Sequence, residues 1–495
     1  MLKTWDIFDT LIARRYLQPV TIFQIVEQNA GHVPGFAKLR TDAERNLILR
    51  GEKYNLDDIY DELQRITGVS KEICDKLKNL ECDTEIENAI PICENLLQVK
   101  AGDILISDMY LPEKIVRKIL NKVGLQVPVE IVITNNGKSS GRIWKQIADQ
   151  NKFLFHIGDN EKSDLKNPHL AGFESSITFL SAPNEIEKFL FRQDVRFAGC
   201  LREIRLRNPY REEVKRLYWD LFSLNAGILI LTARKIDELQ KKYDFEYLGF
   251  CGRDTFYLRQ IYEKYKADLN EEPPANDYLH YSRKLITGSK DAVAEYYADK
   301  ISGRKALLID LSGSGTHLHE LREEKNFDYS ILICGKLNLD STKAIYKGKK
   351  NFPENWISFL ENPEKVSGDK LNFYFTETMD GETQLWSMYD ELFNRATHNS
   401  PIKLDTVKIG EKIIPEVTFS EVSDTENLDV FLTCMKEILR MKIKWAGVVG
   451  ITDEKFLPVY KKMLATLTEQ AKEKAFAFRH RADTYMSLKL SEATN

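Results

Sequence analysis

Residues 4–13 read TWDIFDTLIA, and this short stretch decides how the first part of the chain folds. Its aromatic and β-branched residues predict a strand that ends in turn-forming residues. Residues 15–97 then carry apolar side chains at helical spacing throughout. From residue 98 onward, short apolar strands such as ILIS at 104–107 alternate with amphipathic helices.

This alternation of strand and helix is typical of βαβ units that build a parallel sheet. The sequence therefore predicts an α/β domain over residues 1–190, with a Rossmann-like parallel sheet and a helical cap inserted at about 15–97. Helix starts are expected at Asn55 and Ser70, because both residue types cap the first turn of a helix.

The bulk composition excludes several classes of protein. A chain of 495 residues exceeds one hydrophobic core, so two or three domains are expected. A net charge of -4 argues against a nucleic-acid partner, and the chain has no apolar run long enough to predict a membrane span. The seven cysteines show no CxxC spacing, which fits a reducing, cytoplasmic location. The oligomeric state is left open.

Polar and charged side chains stand at the carboxyl ends of the predicted strands or open the helices that follow them. Ligands of open α/β sheets bind in the crevice at that edge. The chain places four such segments there, which contribute Asp6, Ser107, Lys138 and the pair Asp159 and Asp164.

These residue types supply the parts of a covalent phosphoryl transfer. A carboxylate such as Asp6 can attack phosphorus when cations screen its charge. Lys138 and a Mg²⁺ ion bound by carboxylate oxygens neutralise the charge on the transferred group, and the Ser107 hydroxyl can bind a phosphate oxygen. Each segment alone is also explained as a helix cap or an ordinary turn. The four together, in this order, favour a catalytic site.

The four segments resemble the four motifs of the haloacid dehalogenase (HAD) superfamily, in the family's order. The stretch from Asp6 to Thr10 resembles the first motif, and GDNEKSD at 158–164 resembles the fourth. The helical block at 15–97 lies where the family places a cap. The resemblance implies a hydrolase whose catalytic and phosphate-binding residues are Asp6, Ser107 and Lys138. It also implies Mg²⁺ bound by Asp6, the backbone carbonyl of Phe8 and Asp159, with Asp164 in support.

Phe8 departs from the family's usual pattern. Phosphatases of the family usually carry an acid two residues after the nucleophile, where it protonates the leaving group and then activates water. Asp9 is one residue further on, and its side chain would face away on an extended segment unless the turn is unusual. The strings WDIFDTLIARR and ILISDMYLPEKIVRKIL also resemble a bacterial subgroup of predicted hydrolases that is often linked to surface-polysaccharide gene clusters.

The second half of the chain repeats the α/β pattern. We predict a helical linker at 191–216, a second α/β domain at 217–400, and a loop-rich and then helical C-terminal region at 401–495. Strands are expected near YLGFC, DYLHYS, ALLIDL and YSILICG.

A second candidate site lies in this half, where a Gly-rich segment at 310–316 separates an apolar strand from a predicted helix. Its small residues can turn backbone N–H groups toward a phosphate. The segment resembles the sugar-phosphate loop of type I phosphoribosyltransferases, although only one acid stands where that family has two. A Gly-rich turn without catalysis is the alternative. The candidate residues are Arg253, Asp254, Arg283, Asp310, Ser312, Gly313, Ser314, Gly315 and Thr316.

The sequence thus predicts a Mg²⁺-dependent HAD-type phosphatase or phosphotransferase that acts on a small phosphorylated metabolite through an aspartyl-phosphate on Asp6. Two alternatives stay open. One is a bifunctional protein whose second domain binds or transfers a sugar or ribose phosphate. The other is a non-catalytic scaffold that binds a ligand through a degenerate HAD site.

Overall fold

The computed structural model divides the chain into two compact units, Met1–Arg211 and Glu212–Asn495. It describes residues 2–31, 33–51, 53–150, 154–313, 315, 318, 321–322, 329–337, 372–378, 394, 401–410, 412–419, 428–441 and 450–474. Both units combine a parallel sheet with many helices, so the predicted mixed α/β class is confirmed.

The first unit is built on a five-stranded parallel sheet in the order β5-β4-β1-β6-β7. Chain order reverses between β1 and β6, which is where open α/β sheets bind ligands. The strands of this unit, including a separate antiparallel pair of β2 and β3, are β1 Leu2–Asp6, β2 Ile12–Arg14, β3 Ala89–Pro91, β4 Ile104–Asp108, β5 Glu130–Thr134, β6 Leu154–Gly158 and β7 Glu174–Ile177.

Helices cover the sheet and form the segment between β2 and β3. The expected helix starts are confirmed, since the Asn55 and Ser70 side chains accept hydrogen bonds from the first turns of α3 and α4. The helices are α1 Val20–Ala30, α2 Phe36–Leu49, α3 Leu56–Thr67, α4 Lys71–Asn88, α5 Cys93–Leu96, α6 Glu113–Lys122, α7 Arg142–Gln150, α8 Asn167–Leu170, α9 Glu185–Gln193 and α10 Val195–Leu206, with a π-helical turn at Glu161–Lys166.

Two details of the predicted element boundaries are wrong. The strand expected at 4–13 is split into β1 and β2, because the Ile7 carbonyl accepts hydrogen bonds from the N–H groups of Leu11 and Ile12 and closes a turn. The segment 15–97 is not helical throughout, because β3 pairs with β2 and so ends α4.

Buried charge as well as apolar packing stabilises the helices between β2 and β3. The guanidinium group of Arg40 in α2 donates to both carboxylate oxygens of Glu81 in α4, at 2.8 and 2.9 Å. The hydroxyl of Tyr60 in α3 donates to the same carboxylate at 2.8 Å. Three helices are thereby joined around one fully buried ion pair.

The second unit has its own parallel sheet, in the order β12-β11-β10-β8-β9, so here chain order reverses between β8 and β10. Four of its five strands coincide with the predicted apolar segments. The strands are β8 Tyr247–Cys251, β9 Ala275–Leu279, β10 Ala306–Gly313, β11 Tyr329–Leu337 and β12 Asn372–Thr378, followed by the hairpin of β13 Pro401–Ile409 and β14 Lys412–Phe419.

The helices of the second unit begin with one of 31 residues, α11. They are α11 Glu213–Tyr243, α12 Phe256–Asp268, α13 Arg283–Gly288, α14 Lys290–Ile301, α15 Leu428–Arg440 and α16 Asp453–Lys474, with a 3-10 turn at Arg253–Thr255. Among the described residues of the whole chain, no helix combines the length and the apolar character needed to cross a membrane.

Candidate active site

Asp6 is the last residue of β1 and lies at the centre of the carboxyl edge of the first sheet. The buried side chains of Trp5 and Ile7 anchor its backbone, and its own side chain is almost fully buried. One carboxylate oxygen, Oδ1, contacts the ammonium group of Lys138. The other, Oδ2, accepts a hydrogen bond from Thr10 Oγ1 at 3.2 Å. Asp6 is therefore a buried carboxylate held by a cation and a hydroxyl.

Lys138 joins Asp6 to Asp164. Its Nζ atom lies 2.6 Å from Asp164 Oδ1, and all three side chains are buried. Asp164 accepts three further hydrogen bonds, from His156 Nε2 at 3.0 Å, the Asn160 N–H at 3.0 Å and Ser163 Oγ at 3.2 Å. Each of its oxygens thus has two donors, so Asp164 is saturated as an acceptor and fixes the position of Lys138.

His156 connects Asp164 to the strands of the sheet. This residue was not identified from the sequence. It lies on β6, fully buried, where its Nδ1 atom is 2.9 Å from the Thr4 hydroxyl of β1. Burial lowers the pKa of His156 to about 4, so the ring is neutral at pH 7 and donates from Nε2 to Asp164. A polar residue within the otherwise apolar string FLFHIG was the only sequence feature that could have indicated it.

Asp108, the last residue of β4, positions the segment that carries Lys138. Its Oδ1 atom accepts from the N–H groups of Gly137 and Lys138, both at 3.0 Å, and from the Thr134 hydroxyl. Its Oδ2 atom accepts from the N–H and the hydroxyl of Ser139, at 3.0 and 3.1 Å. A single carboxylate thus holds three consecutive backbone N–H groups around Lys138.

Ser107 lies one residue beyond Ile106, which is paired with Asp6 across the sheet. Its side chain is buried, yet its hydroxyl has no hydrogen-bond partner among the residues that the structure describes. A buried hydroxyl at the ligand-binding edge of a sheet is available to a ligand oxygen. This is the arrangement expected of a phosphate-binding residue.

Asp159 completes an acidic group with Asp6 and Asp164. Each offers one carboxylate oxygen, and these oxygens lie within 4.8 Å of one another, close enough to surround one cation. The carbonyl oxygen of Phe8 accepts no hydrogen bond from any described residue, so it is available as a further oxygen ligand. Since Asp164 is already saturated, Asp6, Asp159 and the Phe8 carbonyl fit a divalent cation best.

The electrostatics of the site reflect burial. Burial, together with the charges of Asp164 and Asp159, raises the pKa of Asp6 to about 7 despite the opposing charge of Lys138. Burial likewise raises the pKa of Asp159 to about 6, with Asp9 and Asp164 adding repulsion. A divalent cation would relieve this repulsion, because it favours the ionised form of every carboxylate around it.

The turn after β1 places Phe8 and Asp9 differently from an ordinary strand. The Phe8 ring lies under the guanidinium group of Arg14, 4.9 Å from the ring centroid. Asp9 adopts a left-handed backbone conformation, with φ of 59°. The segment is therefore not extended at Asp9, and the Asp9 side chain need not face away from Asp6. Its half-exposed carboxylate is close enough to repel Asp159.

The second candidate site is brought together only in part. Burial raises the pKa of the Cys251 thiol, and the carboxylates of Asp310 and Asp254 add to this effect, so both lie near the carboxyl end of β8. Asp310, Ser312 and Gly313 belong to β10, because pairing with β11 continues as far as Gly313. The predicted loop therefore begins later than expected.

The other candidate residues of this second site lie in a turn, at a helix start or outside the described residues. Arg253 opens the 3-10 turn after β8. Arg283 is the first residue of α13, because the Ser282 hydroxyl accepts from the Leu285 N–H and caps that helix. Ser314 and Thr316 lie outside the described residues, while Gly315 has a left-handed φ of 70°.

Comparison with known proteins leaves the function open. No protein-family model matches the chain, and no curated protein matches it.

Replacing Asp6 with asparagine should stabilise the first unit, because asparagine does not ionise. With a pKa of about 7 for native Asp6 against the ordinary 3.8, the native state binds more protons than the unfolded chain between these values. The parent's free energy of unfolding therefore falls as the pH rises through that range. The gain in Asp6→Asn should be larger at pH 8 than at pH 5, and at most about 4 kcal/mol. Urea denaturation in EDTA measures it; a loss of stability at pH 8 would contradict this electrostatic description.

Asp108→Asn should lower both stability and any turnover, because an amide cannot accept from all five donors that surround Asp108. The expected loss is about 2 kcal/mol of unfolding free energy and roughly tenfold or more in kcat/KM. Asp103→Asn is the matched control. Asp103 accepts from the Lys3 and Lys100 N–H groups and Trp5 Nε1 at the opposite end of β4, so its loss should reduce stability alone. Equal effects of the two variants on kcat/KM would show that Asp108 has no special relation to Lys138.

Proposed function

We propose that the first unit is a Mg²⁺-dependent HAD-type hydrolase, a phosphatase or phosphotransferase that acts on a small phosphorylated metabolite through an aspartyl-phosphate on Asp6. One observation carries the proposal. A buried carboxylate, a lysine ammonium group and a second carboxylate suited to a cation converge at the point where the strand order of a parallel sheet reverses.

In this proposal the substrate phosphoryl group lies between Lys138 and Ser107. The Lys138 ammonium group moves from Asp6 onto a phosphoryl oxygen, which frees Asp6 Oδ1 to attack phosphorus. The bond from phosphorus to the leaving oxygen breaks as the Asp6–phosphorus bond forms. Water then attacks the aspartyl-phosphate, which releases phosphate and restores Asp6; an alternative acceptor hydroxyl would make the reaction a phosphotransfer.

Asp6, Asp159 and the Phe8 carbonyl would hold the cation, whose charge offsets that of the phosphoryl oxygens when it is bound. Asp164 and His156 hold Lys138 at its working position, and Asp108 fixes the backbone on either side of it. The helices between β2 and β3 would act as the cap that excludes water and selects the substrate.

Phe8 sets a limit on the substrates. With no acid two residues after Asp6, no side chain at that position can protonate the leaving oxygen. Substrates whose leaving group is a weak base, such as acyl phosphates and aryl phosphates, should therefore react faster than alkyl phosphates. A strong dependence of rate on leaving-group pKa is the kinetic consequence.

Assays with Mg²⁺ on acetyl phosphate, p-nitrophenyl phosphate and glycerol 3-phosphate test this function. We expect turnover in that order, abolished by EDTA and reduced roughly a thousandfold or more in Asp6→Asn. Asp103→Asn, which alters a buried carboxylate at the far end of the sheet, should retain the parent's kcat. Absence of turnover on a wide panel of phosphate esters and anhydrides, with normal folding, would favour the alternative of a non-catalytic ligand-binding scaffold.

A second candidate function concerns the other unit, and the reversal of strand order between β8 and β10 favours it. Asp254 and Asp310 lie at those two strand ends, where carboxylates can accept hydrogen bonds from sugar hydroxyls. We therefore propose that this unit binds a sugar or ribose phosphate, as a partner activity or as a sensor.

Thermal denaturation with phosphoribosyl pyrophosphate and with ribose 5-phosphate tests the second candidate. A ligand present at a hundred times its Kd stabilises by about 2.7 kcal/mol, which gives a clear rise in melting temperature. Asp310→Asn should abolish the rise. Asp277→Asn should not, because that carboxylate is engaged by Lys300 and Tyr247 within the sheet. No rise with either ligand in the parent would count against a sugar-phosphate site.

A further inference from the structure

Arg202 on α10 is a buried cation beside the turn that follows Asp6. Its side chain is 3% exposed. Two hydrogen bonds fix it, because Nε donates to the Arg14 carbonyl at 3.2 Å and Nη1 donates to the Ser181 carbonyl at 2.5 Å. These contacts hold the guanidinium plane but contribute no negative charge. Buried charges in proteins are normally paired with a hydrogen-bonded counter-charge.

No carboxylate among the described residues lies within hydrogen-bond distance of Arg202. Glu187 is 3.7 Å away and already accepts two hydrogen bonds from Arg205, at 2.6 and 3.0 Å. Asp9 is 3.9 Å from Nη2 and is 47% exposed. Burial accordingly lowers the pKa of Arg202, the reverse of what a well-paired arginine shows. The Nη2 amino group has no acceptor among the described residues.

Arg14 offers a second amino group at the same turn. Its Nε and Nη2 atoms donate to Glu85 at 2.9 to 3.2 Å, whereas Nη1 has no acceptor among the described residues. The side chain of Arg14 is 12% exposed. Two rigidly held guanidinium groups thus border Asp9, three residues from Asp6.

We infer that Arg202 and Arg14 bind a second anionic group of the substrate, a carboxylate or a further phosphate, while the phosphoryl group to be transferred lies at Asp6. This inference rests on the proposed function. An incoming anion gives Arg202 the charged hydrogen bonds that Asp9, at 3.9 Å, does not supply, and Asp9 can turn into solvent to admit it. The substrate class is therefore a phosphorylated acid or a bisphosphate, which should bind more tightly than a phosphate ester without a second anionic group.

Equilibrium binding to the Asp6→Asn protein, with Mg²⁺ present, tests this subsite without requiring turnover. Two pairs of compounds serve as probes. The first compares 3-phosphoglycerate with glycerol 3-phosphate, which differ by a carboxylate, and the second compares fructose 1,6-bisphosphate with fructose 6-phosphate. In at least one pair we expect the probe with the additional carboxylate or phosphate to bind roughly tenfold to a hundredfold more tightly in calorimetric titrations. Which pair shows it distinguishes a carboxylate from a second phosphate.

The preference should disappear in Arg202→Gln and weaken in Arg14→Gln. Arg202→Lys should also lose most of the preference, because lysine keeps the charge but not the planar guanidinium group. If Arg202→Gln does not fold, Arg202→Lys is the variant that tests the role of Arg202. Arg15→Gln is the control, since Arg15 donates to Glu203 of α10 and should leave the preference unchanged.

A preference that survives in both Arg202 variants, or is absent from the Asp6→Asn parent, overturns the inference. If the preference follows Arg202 while the unmodified enzyme turns over none of the phosphates, the anion subsite stands and the proposed hydrolysis fails. If hydrolysis is observed with equal kcat/KM within both pairs, the hydrolase stands and the subsite fails.

Discussion

The contact of the Lys138 ammonium group with the carboxylates of Asp6 and Asp164 is the interaction on which the rest of the site depends. Two carboxylates and one ammonium group are buried at one strand end, and the ammonium group favours the ionised form of both carboxylates. The sequence spreads them over three segments, so only the parallel sheet can bring them together. Removing the lysine would leave two buried carboxylates facing each other, which explains why so much of the surrounding structure serves to hold it.

That support comes from both sides of Lys138. Asp108 holds its backbone through consecutive N–H groups, whereas the chain of Thr4, His156 and Asp164 holds its ammonium group. Asp108, Thr4 and His156 all belong to strands of the sheet. In the proposed reaction such a site is preorganised, because the charged groups would need little rearrangement when a phosphoryl group displaces the Asp6–Lys138 contact.

The sequence could place Asp6, Ser107, Lys138 and Asp159 at one edge of the sheet, because parallel strands align their carboxyl ends, while the roles of these residues stay predictions. It did not predict His156 or Arg202, since their roles depend on contacts between residues more than a hundred positions apart in the chain. In the second unit, most strands were predicted, whereas the end of β10 was not. Its length is set by pairing with β11, which strand periodicity alone does not reveal.

Whether Asp6 carries the chemistry is tested most directly by a crystal structure of the protein grown with Mg²⁺ and beryllofluoride, which mimics a phosphoryl group on aspartate. If Asp6 is the nucleophile, we expect a beryllofluoride group bonded to an Asp6 carboxylate oxygen, with Lys138 and Ser107 on its fluorine atoms. We also expect a cation bound by Asp6, Asp159 and the Phe8 carbonyl. Density at Asp6 that shows only the Lys138 ion pair, at saturating beryllofluoride, would contradict a nucleophilic role for Asp6.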